Sequence, residues 1–140
     1  MACCAVLSLL FFHSYFGPWA QQIRVQFYED FLQAVDYAGG EDFRELNITP
    51  DVQFQGSRQV SEILTLYALE LDADYYRGET GESPAYRERY HYRNLQPEDL
   101  AAPREGAAWV LKKGTLPAQL PPGWTVKDFG DYAVLYYEGE

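Results

Sequence analysis

The chain has 140 residues, 47% of them apolar and 16% aromatic, and its 11 Lys and Arg stand against 21 Asp and Glu for a formal net charge of −10. That length allows one domain, and that apolar content supplies enough core to exclude wholesale disorder. A surface this acidic repels phosphate backbones and anionic headgroups, so nucleic-acid binding and electrostatic docking on lipid are excluded. The two cysteines, Cys3 and Cys4, are adjacent in an apolar run. They cannot staple distant segments and have no partner set for zinc, and their number leaves the redox compartment open.

Ala2 to Phe12 carries no charge, and Tyr15, Phe16 and Trp19 follow it. The run is shorter than the ~20 residues of a full membrane span, and it lacks the basic start and small-residue cleavage site of a signal peptide. Three readings compete: the end of a severed last transmembrane helix, a buried helix, or a degenerate export signal. The aromatic cluster favours the first, because such side chains gather where a helix leaves the bilayer. Residues 1–20 are therefore expected to be an apolar helix end and 21–140 a single domain.

From Val25 to Ala38, the residues Tyr28, Phe31, Leu32, Val35 and Ala38 recur at helical spacing, with Gly39 and Gly40 expected to end the helix in left-handed backbone. Leu46 to Thr49 reads as a strand stopped by Pro50. A second helix is expected over 58–76, with Ser57 as its N-cap and Val60, Ile63, Leu64, Tyr67, Ala68 and Leu71 as one stripe covering the sheet. Gly78 to Pro84 reads as a loop. Tyr86, Glu88, Tyr90 and Tyr92 then alternate with Arg87, Arg89, His91 and Arg93, which predicts a half-exposed strand. Gln96 to Gly106 reads as a loop, Trp109 to Leu111 as a central strand, and 114–123 as a Pro-rich loop. Trp124 to Phe129 and Tyr132 to Tyr137 flank Gly130 and Asp131, the signature of a β-hairpin. The fold class is α/β (α+β), a small mixed sheet of about four to five strands covered by two amphipathic helices.

No complete catalytic constellation stands out. Asp72 and Asp74 form a DxD, a pair that can hold a divalent cation against a diphosphate, but without a third carboxylate at ligand spacing it reads as a solvated helix end. Glu41, Asp42, Glu45, Glu98 and Asp99 read as charged surface. His13 and His91 lack partners in a triad or metal pattern. Arg87, Arg89 and Arg93, with Arg77, are the cationic cluster that could meet a phosphate or carboxylate, and Tyr90 and Tyr92 on the same strand could stack on sugar rings. These five residues, Arg87, Arg89, Arg93, Tyr90 and Tyr92, are the candidate binding residues. No catalytic residue and no cofactor is expected. Asn47-Ile48-Thr49 is a glycosylation sequon, disfavoured by Pro50 and by its strand position.

The order of elements resembles the C-terminal extracytoplasmic region of polytopic GT-C glycosyltransferases, the mannosyltransferase-like membrane enzymes that use polyprenyl-phosphate sugars. An apolar helix end leads to Tyr15-Phe16, then the amphipathic helix Phe31-Leu32-Gln33-Ala34-Val35-Asp36-Tyr37-Ala38 looks like the family's Ala-x-Tyr-Ala segment, Asp72-Ala73-Asp74-Tyr75-Tyr76 is similar to its Asp-Pro-x-x-Tyr with Ala73 for Pro, and Phe129-Gly130-Asp131-Tyr132-Ala133-Val134 to its closing Phe-Gly-x-Tyr-x-Val hairpin. The resemblance implies a non-catalytic domain on the outer side of the cell membrane, since the family's catalytic acids lie in an early extracytoplasmic loop. Its partner would be the membrane portion of the same parent protein, with a polyprenyl-phosphate sugar or a glycan acceptor nearby. A free-standing, membrane-tethered interaction or carbohydrate-binding module is the alternative, and a small metal-dependent enzyme using Asp72 and Asp74 is the third.

Overall fold

The computed structural model of the chain describes residues 28–52, 58–78 and 81–139. The apolar segment 1–20, the expected helix start at Val25 and the expected cap Ser57 lie outside these residues. Helix α1 spans Glu29–Gly40, and its stripe Phe31, Ala34, Val35 and Ala38 is fully buried at i, i+3, i+4, i+7 spacing. Each such side chain taken out of water stabilises the fold by up to about 2 kcal/mol, so this one face secures the helix. Neither Gly39 nor Gly40 takes the left-handed backbone expected of it. The helix runs through both and ends at extended Glu41, whose N–H donates to the Tyr37 carbonyl at 3.2 Å. Gly39 serves close packing instead, because a Cβ there would run into the Leu69 side chain.

Strand β1, Glu45–Ile48, leads into helix α2, Arg58–Ala68. The helix stops well short of residue 76, in a Schellman arrangement. Glu70 N–H donates to Tyr67 O at 3.3 Å, Leu71 N–H donates to Leu66 O at 3.1 Å, and Glu70 itself is left-handed at φ 46°. A separate turn, α3 at Ala73–Tyr76, follows. The inward face of α2 also differs from the expected stripe: Ser61 and Thr65 are its fully buried residues, with Leu64 and Ala68 partly buried beside them, whereas Ile63 and Tyr67 are 65% and 73% exposed. The reason is polar: Ser61 Oγ donates to the Thr49 carbonyl and Thr65 Oγ1 to the Ser61 carbonyl, both at 2.8 Å. The Ser61 bond ties α2 to the end of β1 and turns the bulkier apolar residues outward.

A two-stranded ribbon, β2 at Arg77–Gly78 with β3 at Gly81–Glu82, occupies part of the expected loop. The strand expected over 86–93 is helix in its first half. α4 runs Pro84–Arg89, opened by Ser83, whose Oγ accepts from Tyr86 N–H at 3.2 Å, and by Pro84 in its first turn. β4 is confined to Tyr90–Tyr92. The expected loop after Gln96 holds a further short helix, α5 at Pro97–Ala101, where Asp99 Oδ2 accepts from Gln96 N–H at 2.9 Å. β5 spans Ala107–Lys112, a 3₁₀ turn spans Lys113–Thr115, and the hairpin β6 Trp124–Phe129 with β7 Tyr132–Tyr137 has its predicted bounds.

The main sheet has the order β4-β1-β5-β7-β6, with β1 parallel to β4 and β5 and the remaining pairs antiparallel. The mixed α/β fold class is thus as read from sequence. Because successive side chains alternate between faces, Tyr90, Leu46 and Ala108, and likewise Tyr92, Ile48, Val110 and Val134, face the layer of α1, α2 and α4. The opposite face carries His91, Asn47, Trp109 and Leu135 in one row, and Leu95, Leu100, Leu116, Leu120 and Trp124 pack against its apolar part. β5 is buried along almost its whole length, as the run Trp109 to Leu111 predicts for a central strand. Among the described residues no helix is long and apolar enough to cross a membrane.

Candidate functional site

The three candidate arginines do not form one cluster. Arg87 is exposed on α4. Arg89 donates to the Gly39 carbonyl at 3.4 Å and lies 5.7 Å from the Tyr90 ring centre. Arg93, just past β4, turns to the other face of the sheet. There its Nε donates to Asn47 Oδ1 at 2.8 Å, its two terminal nitrogens grip Asp99 at 2.9 and 3.0 Å, and its guanidinium lies 4.2 Å above Trp109. Burial pushes the Asp99 carboxyl up, and its bonds to Arg93 and to Gln96 N–H outweigh this and hold it below the usual carboxylate range. Asn47 is fully buried and its amide donates to Glu45 Oε1 at 2.9 Å, so the sequon side chain sits inside the folded domain. Glu45 also accepts from Arg104. This is a closed polar assembly with every arm of Arg93 engaged.

Tyr90 and Tyr92 point to the helix side. They join Tyr75, Tyr76 and Tyr86 in a cluster: Tyr86 stacks on Tyr90 at 4.9 Å, meets Tyr76 edge-on at 4.9 Å, and shares a 2.6 Å hydroxyl contact with Tyr92. Burial pushes the Tyr92 hydroxyl up to about 12 and the Tyr86 hydroxyl higher still, so both remain neutral and neither can serve as a phenolate base near neutral pH. At the rim of this cluster Glu62 accepts from Tyr76 at 3.3 Å, while Arg58 pairs with Glu82 at 2.6 Å and lies 3.9 Å from Glu62. Burial first, and the charge of Glu82 second, raise the Glu62 carboxyl. Two carboxylates share one guanidinium here, which leaves Glu62 less fully compensated than a carboxylate with an arginine of its own.

Asp72 acts as the N-cap of α3, its Oδ1 accepting from Asp74 N–H at 2.8 Å, and both acids are exposed. Among the described residues no group of three or more His, Cys, Asp or Glu could hold a metal. His91 Nε2 lies 3.1 Å from the Glu88 carbonyl. In sheets with parallel strands, ligands are commonly taken beyond the strands' carboxyl ends. At that end of β1 and β4, Thr49 donates to Asn94 at 3.0 Å, Asn94 to Asp51 at 3.3 Å, and the Asp51 N–H to Thr49 at 3.2 Å, a ring that satisfies itself.

Among the described residues, a groove of about 510 Å³ lies open between α1 and α2, lined by Leu32, Gln33, Asp36, Leu66, Tyr67 and Glu70. Sequence reasoning missed it because it assigned Tyr67 to the core. It also missed the Arg58–Glu62 pair, whose i, i+4 spacing was legible, and the Arg93–Asn47 bond, which joins residues far apart in sequence. Comparison of the chain with protein-family models, with curated proteins and with solved structures finds no match.

Proposed function

We propose that this chain is a non-catalytic positioning domain, the extracytoplasmic C-terminal part of a membrane glycosyltransferase, helping to shape the access of an acceptor or a lipid-linked sugar. The observation that supports this reading is that two of the segments carrying the resemblance pack on each other as one unit. Asp30, in the first turn of α1, accepts from Asp131 N–H in the hairpin loop at 3.0 Å. Phe31 meets Tyr132 edge-on at 5.3 Å, and Tyr37 meets Phe129 at 5.4 Å. Gly130, at φ 71°, lies so close to Asp30 that a Cβ would strike its carboxylate. Helix α1 is thereby locked to the β6–β7 hairpin, so these two segments form one packed unit, as a positioning domain requires. In the same reading the arginines and tyrosines serve the fold, and the open groove serves contact.

The test is the gene upstream of the codon for Met1. A continuous reading frame with many apolar spans and early extracytoplasmic acids supports the proposal. An in-frame stop followed directly by a ribosome site overturns it in favour of a free-standing, membrane-tethered interaction or carbohydrate-binding module.

A further inference from the structure

We propose that the groove between α1 and α2 is a docking site for an amphipathic polypeptide segment that carries Lys or Arg beside its apolar residues. Three observations converge on it. The floor is apolar, from Leu32 and Leu66, and Tyr67 rises from it at 73% exposure. Ile63, one turn before Tyr67 on the same face of α2, is 65% exposed, so the apolar strip extends along the helix beyond the groove itself. Two large side chains left this open in successive turns form an apolar strip that a partner's own apolar residues can cover.

The rim fixes the sign of the partner. Its charged lining residues among those described are Asp36 from α1 and Glu70 from α2, with the amide of Gln33 beside them and no described Lys or Arg. A second copy would bring the same acids face to face across a two-fold contact and add another −10 charges, so self-association is disfavoured. An anionic headgroup meets the same repulsion. A segment with apolar residues at helical spacing and cationic flanks satisfies both the strip and the rim.

Glu70 adds a distinguishing handle. It occupies the left-handed position that ends α2, where Gly is the usual residue and any other side chain is strained. Replacing it by Gly is therefore expected to raise the Tm while removing a rim charge, so that loss of binding cannot be ascribed to loss of fold.

The test uses the full chain titrated with a labelled leucine–lysine amphipathic peptide, followed by fluorescence anisotropy. The peptide is expected to bind, with affinity falling about two- to fivefold for Asp36→Asn and again for Glu70→Gln, as for exposed ion pairs. Glu70→Gly should weaken binding to the same extent with a higher Tm, and Tyr67→Ala should weaken it about tenfold, as for a buried aromatic anchor. At about 1 M salt, where the Debye length is about 3 Å, the differences among the acid variants should vanish. Three results would overturn the proposal: no binding of the peptide, an equal loss for Glu98→Gln with Glu105→Gln on exposed sites away from the groove, or full affinity in Tyr67→Ala.

Discussion

Replacing Arg93 by Met keeps the apolar stem of the side chain and removes the guanidinium, so it isolates what the charged head does. Asn47 Oδ1, fully buried, would lose the donor that holds it at 2.8 Å, a cost of about 1–3 kcal/mol. The two-pronged contact with Asp99, on side chains 35% and 14% exposed, is worth about 0.5–1 kcal/mol after solvent screening. The stack at 4.2 Å over Trp109 adds about 0.5–1 kcal/mol. Arg93→Met should therefore lower stability by about 3 kcal/mol, read as a shift of the urea midpoint at unchanged slope. The loss also has a pH signature. Asp99 is depressed in the fold, so its share of the stabilisation is complete above its unfolded value near 3.8 and disappears as pH falls through the lower folded value. Wild type and variant should thus draw closer only in that acid window. A loss under about 1 kcal/mol at neutral pH would refute the reasoning, since it would mean that Asn47 tolerates burial without its partner.

Glu62 predicts the opposite slope. Its folded value is raised above the ordinary 4.5, so the stability it contributes is complete below 4.5 and is lost as pH rises through the folded value. Glu62→Gln should flatten that part of the stability curve and equal or exceed wild type at pH 7 in thermal unfolding, and a less stable variant there would contradict this account. Gly130→Ala places a side chain in left-handed backbone and against the Asp30 carboxylate, and should lower the urea midpoint by the equivalent of about 1–2 kcal/mol or more. An unchanged midpoint would show that the α1–hairpin lock can yield. Asn caps a helix as well as Asp, and Asp74 contributes only its backbone N–H, so on the proposed function Asp72→Asn and Asp74→Asn should leave any sugar transfer by a parent protein largely unchanged. A loss of about a hundredfold with a normal fold would put these acids in the chemistry.

The elements most legible in the sequence are those whose period and punctuation agree. The α1 stripe through Phe31, Val35 and Ala38, the continuous apolar run of β5 and the hairpin around Gly130 each had one reading, and the structure has it. The segment 86–93 shows the converse. Tyr86 and Tyr90 satisfy a period of two and also the i, i+4 spacing of a helix, and Ser83-Pro84, a helix-opening pair, decides between them. Glu70 shows another limit, since nothing in its residue type announces the left-handed position that stops α2. The closed polar assembly was out of reach for a different reason. Arg93, Asn47, Trp109 and Asp99 come from separate elements, and only the parallel register of β1 with β4 and β5 brings them to one face. The groove was hidden by a hydrophobic stripe wider than the sheet needs, part of which the Ser61 bond to Thr49 turns outward.

The position of β1 sets the order in which the chain can become itself. Its side chains Leu46, Asn47 and Ile48 are wholly enclosed, yet the strand closing one side, β5, lies roughly 60 residues further along. At a synthesis rate of about 5–20 residues per second, β1 waits for seconds before its second neighbour exists. β6 and β7 are joined by two residues and can pair within microseconds of emerging. The hairpin is therefore able to pair as soon as it is made, whereas β1 is inserted between partners that arrive after it. Slow pairing of this kind leaves Leu46 and Ile48 uncovered in the nascent chain, where a chaperone would meet them before the sheet does.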